Sequence, residues 1–278
     1  MRLHLECIPC LIRHGFDISA QTADRAVRER FMREILAWAS SLNYDQVPPL
    51  AARDMYAMLR RITGIDDPFA RVKQISNAKA LAMYPGLKSR VTASPDPFDT
   101  ALRIALAGNM IDYGRNAADG LDMDMVVEHF QNVSFARDHR ARLREEVRAA
   151  REVLYILDNA GEIVFDRLFI EEIGPDKVIA VVRGEPIIND VTMEDAERTG
   201  LIDVCRVVSS GSAASGTPVA ICSDAFKEMF READLVIAKG QGNYESLHEE
   251  ARDIFHLFVA KCPVISVEVG VEIGRAHV

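Results

Sequence analysis

Cysteine is scarce in this sequence. There are five in 278 residues, an odd number, and Cys205, Cys222 and Cys262 stand alone. Such sparse use argues against a disulfide-stapled scaffold and suits a reducing compartment. Long apolar runs are missing as well. None approaches the roughly 18 residues that a helix needs to cross a bilayer. The opening residues Met1-Arg2-Leu3-His4-Leu5-Glu6 lack the apolar stretch of a secretory signal. The expected location is the cytoplasm, with no membrane partner. A basic excess is also absent: 33 Lys and Arg face 42 Asp and Glu, for a formal net charge of −9. Nucleic acids and anionic membranes want clustered Lys and Arg, so neither is expected as a partner. A local basic pocket for one phosphate is still compatible with this balance.

Several catalytic signatures are missing too. There is no Gly-x-x-x-x-Gly-Lys-Ser/Thr loop, and no Gly-x-Gly-x-x-Gly follows the first apolar strand. The turn Ser209-Ser210-Gly211-Ser212 lacks the Gly-x-Ser-x-Gly of a nucleophile elbow and reads as a loop. The seven histidines include no His-Glu-x-x-His. No repeat or low-complexity segment occurs. Cys7-Ile8-Pro9-Cys10 has the spacing of half a zinc site or of a redox pair, but no second Cys-x-x-Cys exists. His4 and His14 lie close enough in sequence to complete a zinc site. Redox pairs usually follow a strand in a βαβ unit, whereas this one opens a helical region. The expected role is packing, with no structural zinc.

What is present divides near residue 150. Before it, apolar residues recur at helical spacing: Phe31, Ile35, Leu36 and Trp38 fit one face, as do Met55, Met58, Leu59 and Ile62. Pro48-Pro49, Pro68, Pro85-Gly86 and the Pro95/Pro97 stretch break this region into five or six helices. The charged run from Asp138 to Arg151 reads as a solvated helix face. After residue 150, apolar runs alternate with helical stretches. Strands are expected at 153–157, 178–182, 204–208, 235–238 and 263–267, with helices at 163–173, 224–233 and 244–258. That pattern predicts an α/β fold with a mostly parallel sheet covered by helices on both faces. Residues 1–150 form the mainly helical part and 151–278 the α/β part.

Ligands of such sheets sit beyond the carboxyl ends of the strands. The first strand ends in Asp158-Asn159-Ala160-Gly161-Glu162. Asp158 and Asn159 offer hard oxygens to a divalent cation, and equally suit the cap of the next helix. The second strand leads to Arg183-Gly184-Glu185-Pro186 and Asn189-Asp190-Val191-Thr192. Arg183 has the planar fork that holds a phosphate, and Asp190 is a further carboxylate within reach. The plainer reading of Asn189-Asp190 is again a cap. The fourth strand ends in Lys239-Gly240-Gln241-Gly242-Asn243-Tyr244. This is either a plain turn or a loop presenting an ammonium and backbone N–H groups to a phosphate. Oxygen ligands and basic groups together at three strand ends supply what phosphoryl chemistry needs.

With Gly108-Asn109-Met110-Ile111-Asp112, these blocks resemble the damage-control phosphatases, in the family's order and over nearly the whole chain. The Cys7/Cys10 pair is similar to the prokaryotic branch. The resemblance implies a helical part packed on a Rossmann-like part, and metal-dependent hydrolysis of small phosphorylated metabolites. The implied metal is a divalent ion such as Mn²⁺, Co²⁺, Ni²⁺ or Mg²⁺. By position it implies Asp158, Asn159 and Asp190 as metal ligands, with Asp158 and Lys239 catalytic. Asn109, Asp112, Arg183 and Asn243 are implied as substrate-binding. The same domain has been proposed to be an S-adenosylmethionine-dependent carboxyl methyltransferase, but Asp158-Asn159 occupies the place of that fold's glycine-rich loop. A phosphometabolite sensor without turnover is a second alternative. Neither the physiological substrate nor the oligomeric state is legible.

Overall fold

The computed structural model describes residues 1–110 and 123–278. Its first half is helical: α1 (Cys7–Ser19), α2 (Arg25–Ala39), α3 (Pro48–Thr63), α4 (Ala70–Ala93), α5 (Pro97–Met110), α6 (Met123–Asn132) and α7 (Arg140–Ala149). Local chemistry sets the ends. The Asp24 carboxylate caps α2 by accepting from the N–H groups of Ala26 and Val27. Prolines open α3, where their missing N–H costs nothing, and Gly64 closes it in the left-handed conformation at φ 70°. In the charged stretch, α7 buries Leu143 and Val147, while Arg140 and Arg144 reach Asp99 and Asp96.

The expected break at Pro85-Gly86 does not occur. α4 runs through Pro85 for 24 residues, because Ala80, Leu87 and Val91 on either side enter the same apolar cluster. Burial on one face outweighs the lost hydrogen bond.

The second half alternates strand and helix: β1 (Val153–Ile156), α8 (Glu162–Ile173), β2 (Val178–Val182), α9 (Met193–Arg198), β3 (Arg206–Ser209), α10 (Asp224–Glu232), β4 (Leu235–Lys239), α11 (Gln241–Leu247), β5 (Phe255–Val259), α12 (Pro263–Val269) and β6 (Ala276–His277). The sheet order is β3-β2-β1-β4-β5-β6, parallel except for the antiparallel β5–β6 pair. This is the expected α/β class with a mostly parallel sheet.

The end of the chain differs from expectation. The predicted helix over 244–258 stops at Leu247, and Phe255–Val259 is instead a fully buried strand paired with β4. The predicted strand at 263–267 is helix α12. Pro263 fits its first turn, Gly270 caps it at φ 72°, and Val267 points outward at 82% exposure. Its β-branched residues pack on one side only, which a buried strand would not allow. The tail after Gly270 supplies the edge strand β6.

Successive residues of β1 feed opposite faces. Val153 and Tyr155 join α5 and α8, while Leu154 and Ile156 join Phe226 and Phe230 of α10. The first of these clusters also takes in Ala80 of α4 and Leu102 of α5, so the helical half and the sheet share a core. The strand order reverses between β1 and β4, and the crevice outside their carboxyl ends is where this topology leaves room for a ligand.

Candidate active site

The loop after β2 folds back along the tip of β1. Val191 N–H donates to Asp158 O at 2.9 Å, Ala160 N–H to Asn189 O at 2.9 Å and Arg183 N–H to Val191 O at 2.8 Å. These bonds set Asp190 opposite Asn159 in an antiparallel bridge. On the other flank, Gly240 lies against Asp158 so closely that a Cβ there would fall 1.9 Å from Oδ2. Gly240 holds φ 81° and ψ 161°, a region open essentially to glycine alone. The tips of β1, β2 and β4 thus meet around one carboxylate.

Two hydrogen-bond networks converge on Asp158. In the first, Asn109 Nδ2 of α5 donates to Asp158 Oδ2 at 3.1 Å and to Glu162 Oε1 at 3.1 Å. Asn159 Nδ2 donates to Asp158 Oδ2 at 2.6 Å and to Glu162 Oε2 at 3.0 Å. Lys239 Nζ lies beneath, donating to Glu162 Oε1 at 2.8 Å, Asp166 Oδ1 at 2.5 Å and Ala105 O at 3.0 Å. Its three donors are therefore engaged inside the molecule. The Tyr155 hydroxyl also donates to Asp166 Oδ1, at 2.8 Å.

In the second network, Arg183 Nε donates to Asp190 Oδ2 at 2.7 Å and Nη1 to Thr217 Oγ1 at 3.0 Å. Thr217 passes the chain to Asn243 Oδ1 at 2.7 Å, and Asn243 Nδ2 holds the backbone oxygens of Leu157 and Lys239. Ser215 Oγ donates to Asp190 Oδ1 at 3.1 Å. Arg183 Nη2 stands 3.7 Å from Asp158 Oδ1 and has no hydrogen-bond partner among the described residues.

Asp158, Glu162, Asp166 and Asp190 are all buried, against the buried cations Arg183 and Lys239. Fully ionised, these six carry a net charge of minus two. The strain shows in their acidities. Burial, then the charges of Glu162 and Asp190, push the Asp158 carboxyl well above the ordinary range. Burial raises Asp190 as well, against the pull of Arg183. Asp166 is pushed up to about 7 by burial, with Lys239 opposing. Burial works against the Lys239 ammonium, yet Asp166 and Glu162 together hold its pKa above the usual lysine value.

One divalent cation would balance that charge, and the hard oxygens at the front of the site are of the type Mg²⁺ or Mn²⁺ takes. Among the described residues no three His, Cys, Asp or Glu side chains already converge on an ion-sized point. Asp158, Asp190 and the Asn159 amide, side by side at the strand tips, could offer oxygens to such an ion. Turning the Asn159 amide over exchanges its Nδ2 for Oδ1 beside Asp158.

Residues 3–276 match the damage-control phosphatase ARMT1-like domain. The chain belongs to the damage-control phosphatase family. It is 35% identical over 283 residues to the damage-control phosphatase PH1575 of Pyrococcus horikoshii, covering 99% of this chain and 96% of that one. To the damage-control phosphatase of Archaeoglobus fulgidus it is 32% identical over 286 residues, covering 99% and 97%. The crystal structure of the DUF89 family protein from Pyrococcus horikoshii aligns with a TM-score of 0.90 at 33% identity, over 99% of this chain and 98% of that one.

In this member of the damage-control phosphatases, the fold draws together seven of the eight residues singled out from sequence: Asp158, Asn159, Asp190, Lys239, Asn109, Arg183 and Asn243. The eighth, Asp112, lies outside the described residues. Sequence reading missed Asp166 and Tyr155 beneath Lys239, and Thr217 and Ser215 from the loop after β3. Glu162 entered that reading only as the last residue of the block after the first strand. Asp166 is four residues past Glu162 on a helix, a spacing that puts both on one face and was the available signal. The others depend on strand order, which no local motif carries. Cys7 packs beside Met1 and Phe258 in a cluster that also takes in Tyr244 and Cys262, while His14 Nε2 lies 3.0 Å from the Tyr56 hydroxyl.

Proposed function

We propose that this chain is a metal-dependent phosphatase that hydrolyses phosphomonoesters of small metabolites, damaged phosphometabolites among them. The observation that carries the reading is the cluster at the switch point. Buried carboxylates there exceed buried cations by two charges, around a residue set whose donors suit a hard divalent ion. Membership of the family supports both the activity and the need for a metal.

Asp158, Asn159 and Asp190 would hold the cation. Mn²⁺, Co²⁺, Ni²⁺ and Mg²⁺ all accept such oxygens. When bound, the cation supplies charge neutralisation and polarises a phosphoryl oxygen. Arg183 fixes Asp190 through Nε and leaves Nη2 for the phosphoryl group. Asn109 orients Asp158 and Glu162 from the helical half. Asn243 ties the tips of β1 and β4 together from below. Lys239 compensates Glu162 and Asp166 at the base of the centre and acts on the reaction through them. Asp158 is the pivotal residue on either route to products, as nucleophile toward phosphorus or as cation ligand while water attacks.

The methyltransferase alternative needs a glycine-rich loop after β1 and meets Asp158-Asn159 there instead. The test is phosphate release from para-nitrophenyl phosphate and a panel of sugar phosphates by metal-stripped protein, before and after each of the four ions. Turnover that appears with metal supports the proposal. Silence with every ion and every ester, together with calorimetric binding of S-adenosylmethionine, would replace it by the methyltransferase.

A further inference from the structure

Behind the centre, one face of α4 reaches both of the loops that carry its oxygen ligands. Lys73 and Asn77 stand one turn apart on that helix, a spacing that puts them on the same side, and both are buried. Asn77 Oδ1 accepts the Gly161 N–H at 2.7 Å, and its Nδ2 donates to Asp195 Oδ1 at 3.0 Å. Asp195 Oδ2 accepts from the Thr192 N–H at 2.9 Å and from the Thr192 hydroxyl at 2.8 Å. Lys73 Nζ pairs with the same oxygen at 2.8 Å and with Asp67 Oδ2 at 3.3 Å. One amide thus joins the loop after β1 to the loop after β2.

Asp158 and Asn159 lie on the first of these loops and Asp190 on the second. Backbone hydrogen bonds pair the loops over 158–160 and 189–191. Past that short ladder each loop turns into a helix, at Gly161 for α8 and at Thr192 for α9. Those are the two points that Asn77 connects, Gly161 directly and Thr192 through Asp195. Gly161 is buried, so its N–H needs an acceptor within the protein. Asparagine serves both ends, because its amide offers an acceptor and a donor together. An aspartate there would keep the Gly161 bond but set a second carboxylate against Asp195.

We propose that Asn77 is a positioning residue of the site, holding the tips of β1 and β2 at the spacing that one divalent cation requires. This rests on the metal-dependent phosphatase reading and adds to it a residue that acts through the ligand loops. Side chains that orient metal ligands from behind change affinity or activity by about 10–100-fold when lost.

The test takes the metal-stripped full chain and follows Mn²⁺ binding by calorimetry, with para-nitrophenyl phosphate hydrolysis at saturating Mn²⁺. Asn77→Asp should raise the Mn²⁺ Kd by about tenfold or more and lower kcat more than it alters KM. The exchange variant Asn77→Asp/Asp195→Asn keeps the net charge and reverses the bond, the amide at 195 now donating to the carboxylate at 77. It should recover most of the lost affinity. If Asn77→Asp does not fold, Asn77→Ser, too short to span both loops, carries the same expectation. Wild-type Mn²⁺ affinity in either folded single variant would overturn the role of Asn77 and leave the phosphatase reading standing. So would an exchange variant that melts with the wild type yet binds as weakly as Asn77→Asp. A wild type that binds no Mn²⁺ and shows no metal-dependent turnover would overturn the metal-dependent reading, and this proposal with it.

Discussion

At the scale of single residues, the site depends on close approach. Gly240 is the clearest case, since its Cα lies where any side chain would strike Asp158, at a φ of 81°. Gly240→Ala is expected to displace the Asp158 carboxylate and lower kcat/KM by about 100-fold, as measured by steady-state hydrolysis. A near wild-type rate would contradict the reading that Asp158 must hold its present position. Below it, Asp166 connects acidity to stability. Its folded pKa of about 7 lies above that of an unfolded aspartate. A carboxyl raised in this way favours folding most when protonated. Its contribution is therefore complete below about pH 4 and is lost as pH climbs through about 7. Asp166→Asn should flatten that part of the stability profile between about pH 4 and 7, read from urea unfolding midpoints. A profile as steep as the wild type's would show that Asp166 is ionised throughout. The motif residues were legible because they sit at strand tips, where Asp158-Asn159 and Lys239-Gly240 interrupt apolar runs. The direction of the Lys239 ammonium was not legible. It is set by Glu162 and Asp166 one helix away, and a strand-end lysine looks the same in sequence whether it faces solvent or the core.

At the scale of elements, periodicity located β1, β2, β4, α8 and α10 to within one or two residues of their observed limits. Those segments carry unbroken apolar runs or a regular helical face. Periodicity failed where two signals competed. Residues 255–259 follow a helix without strong punctuation, so the helix was extended through them. Residues 263–267 are rich in valine and isoleucine, yet Pro263 starts a helix. Pro85 was read as a stop because local propensity disfavours it, and the buried residues on both sides carry α4 through. Pro85 is exposed within that helix, so the lost hydrogen bond is a cost with no packing return. Pro85→Ala is expected to stabilise the protein by about 1–3 kcal/mol, visible as a higher melting temperature. A lower melting temperature would mean that α4 needs the irregularity at this point.

At the scale of the whole molecule, the helical half is part of the site as well as its cover. α5 contributes Asn109 and the Ala105 carbonyl, and α4 contributes Asn77, whose Oδ1 accepts the Gly161 N–H at 2.7 Å. Near residue 150 the chain passes from α7 to β1. That one apolar cluster crosses the change could not be read locally, because helix-on-sheet packing pairs residues far apart in sequence. The net result is a buried centre with more negative than positive charge, built from both halves, which a divalent cation would complete. The most direct test is Mn²⁺ binding to metal-stripped protein by calorimetry, paired with para-nitrophenyl phosphate hydrolysis, for wild type, Asp158→Asn and Asp190→Asn. One ion should bind per wild-type chain, turnover should rise with occupancy, and each variant should lose both. A wild type that hydrolyses the ester without metal, or variants that bind Mn²⁺ as tightly as wild type, would contradict it.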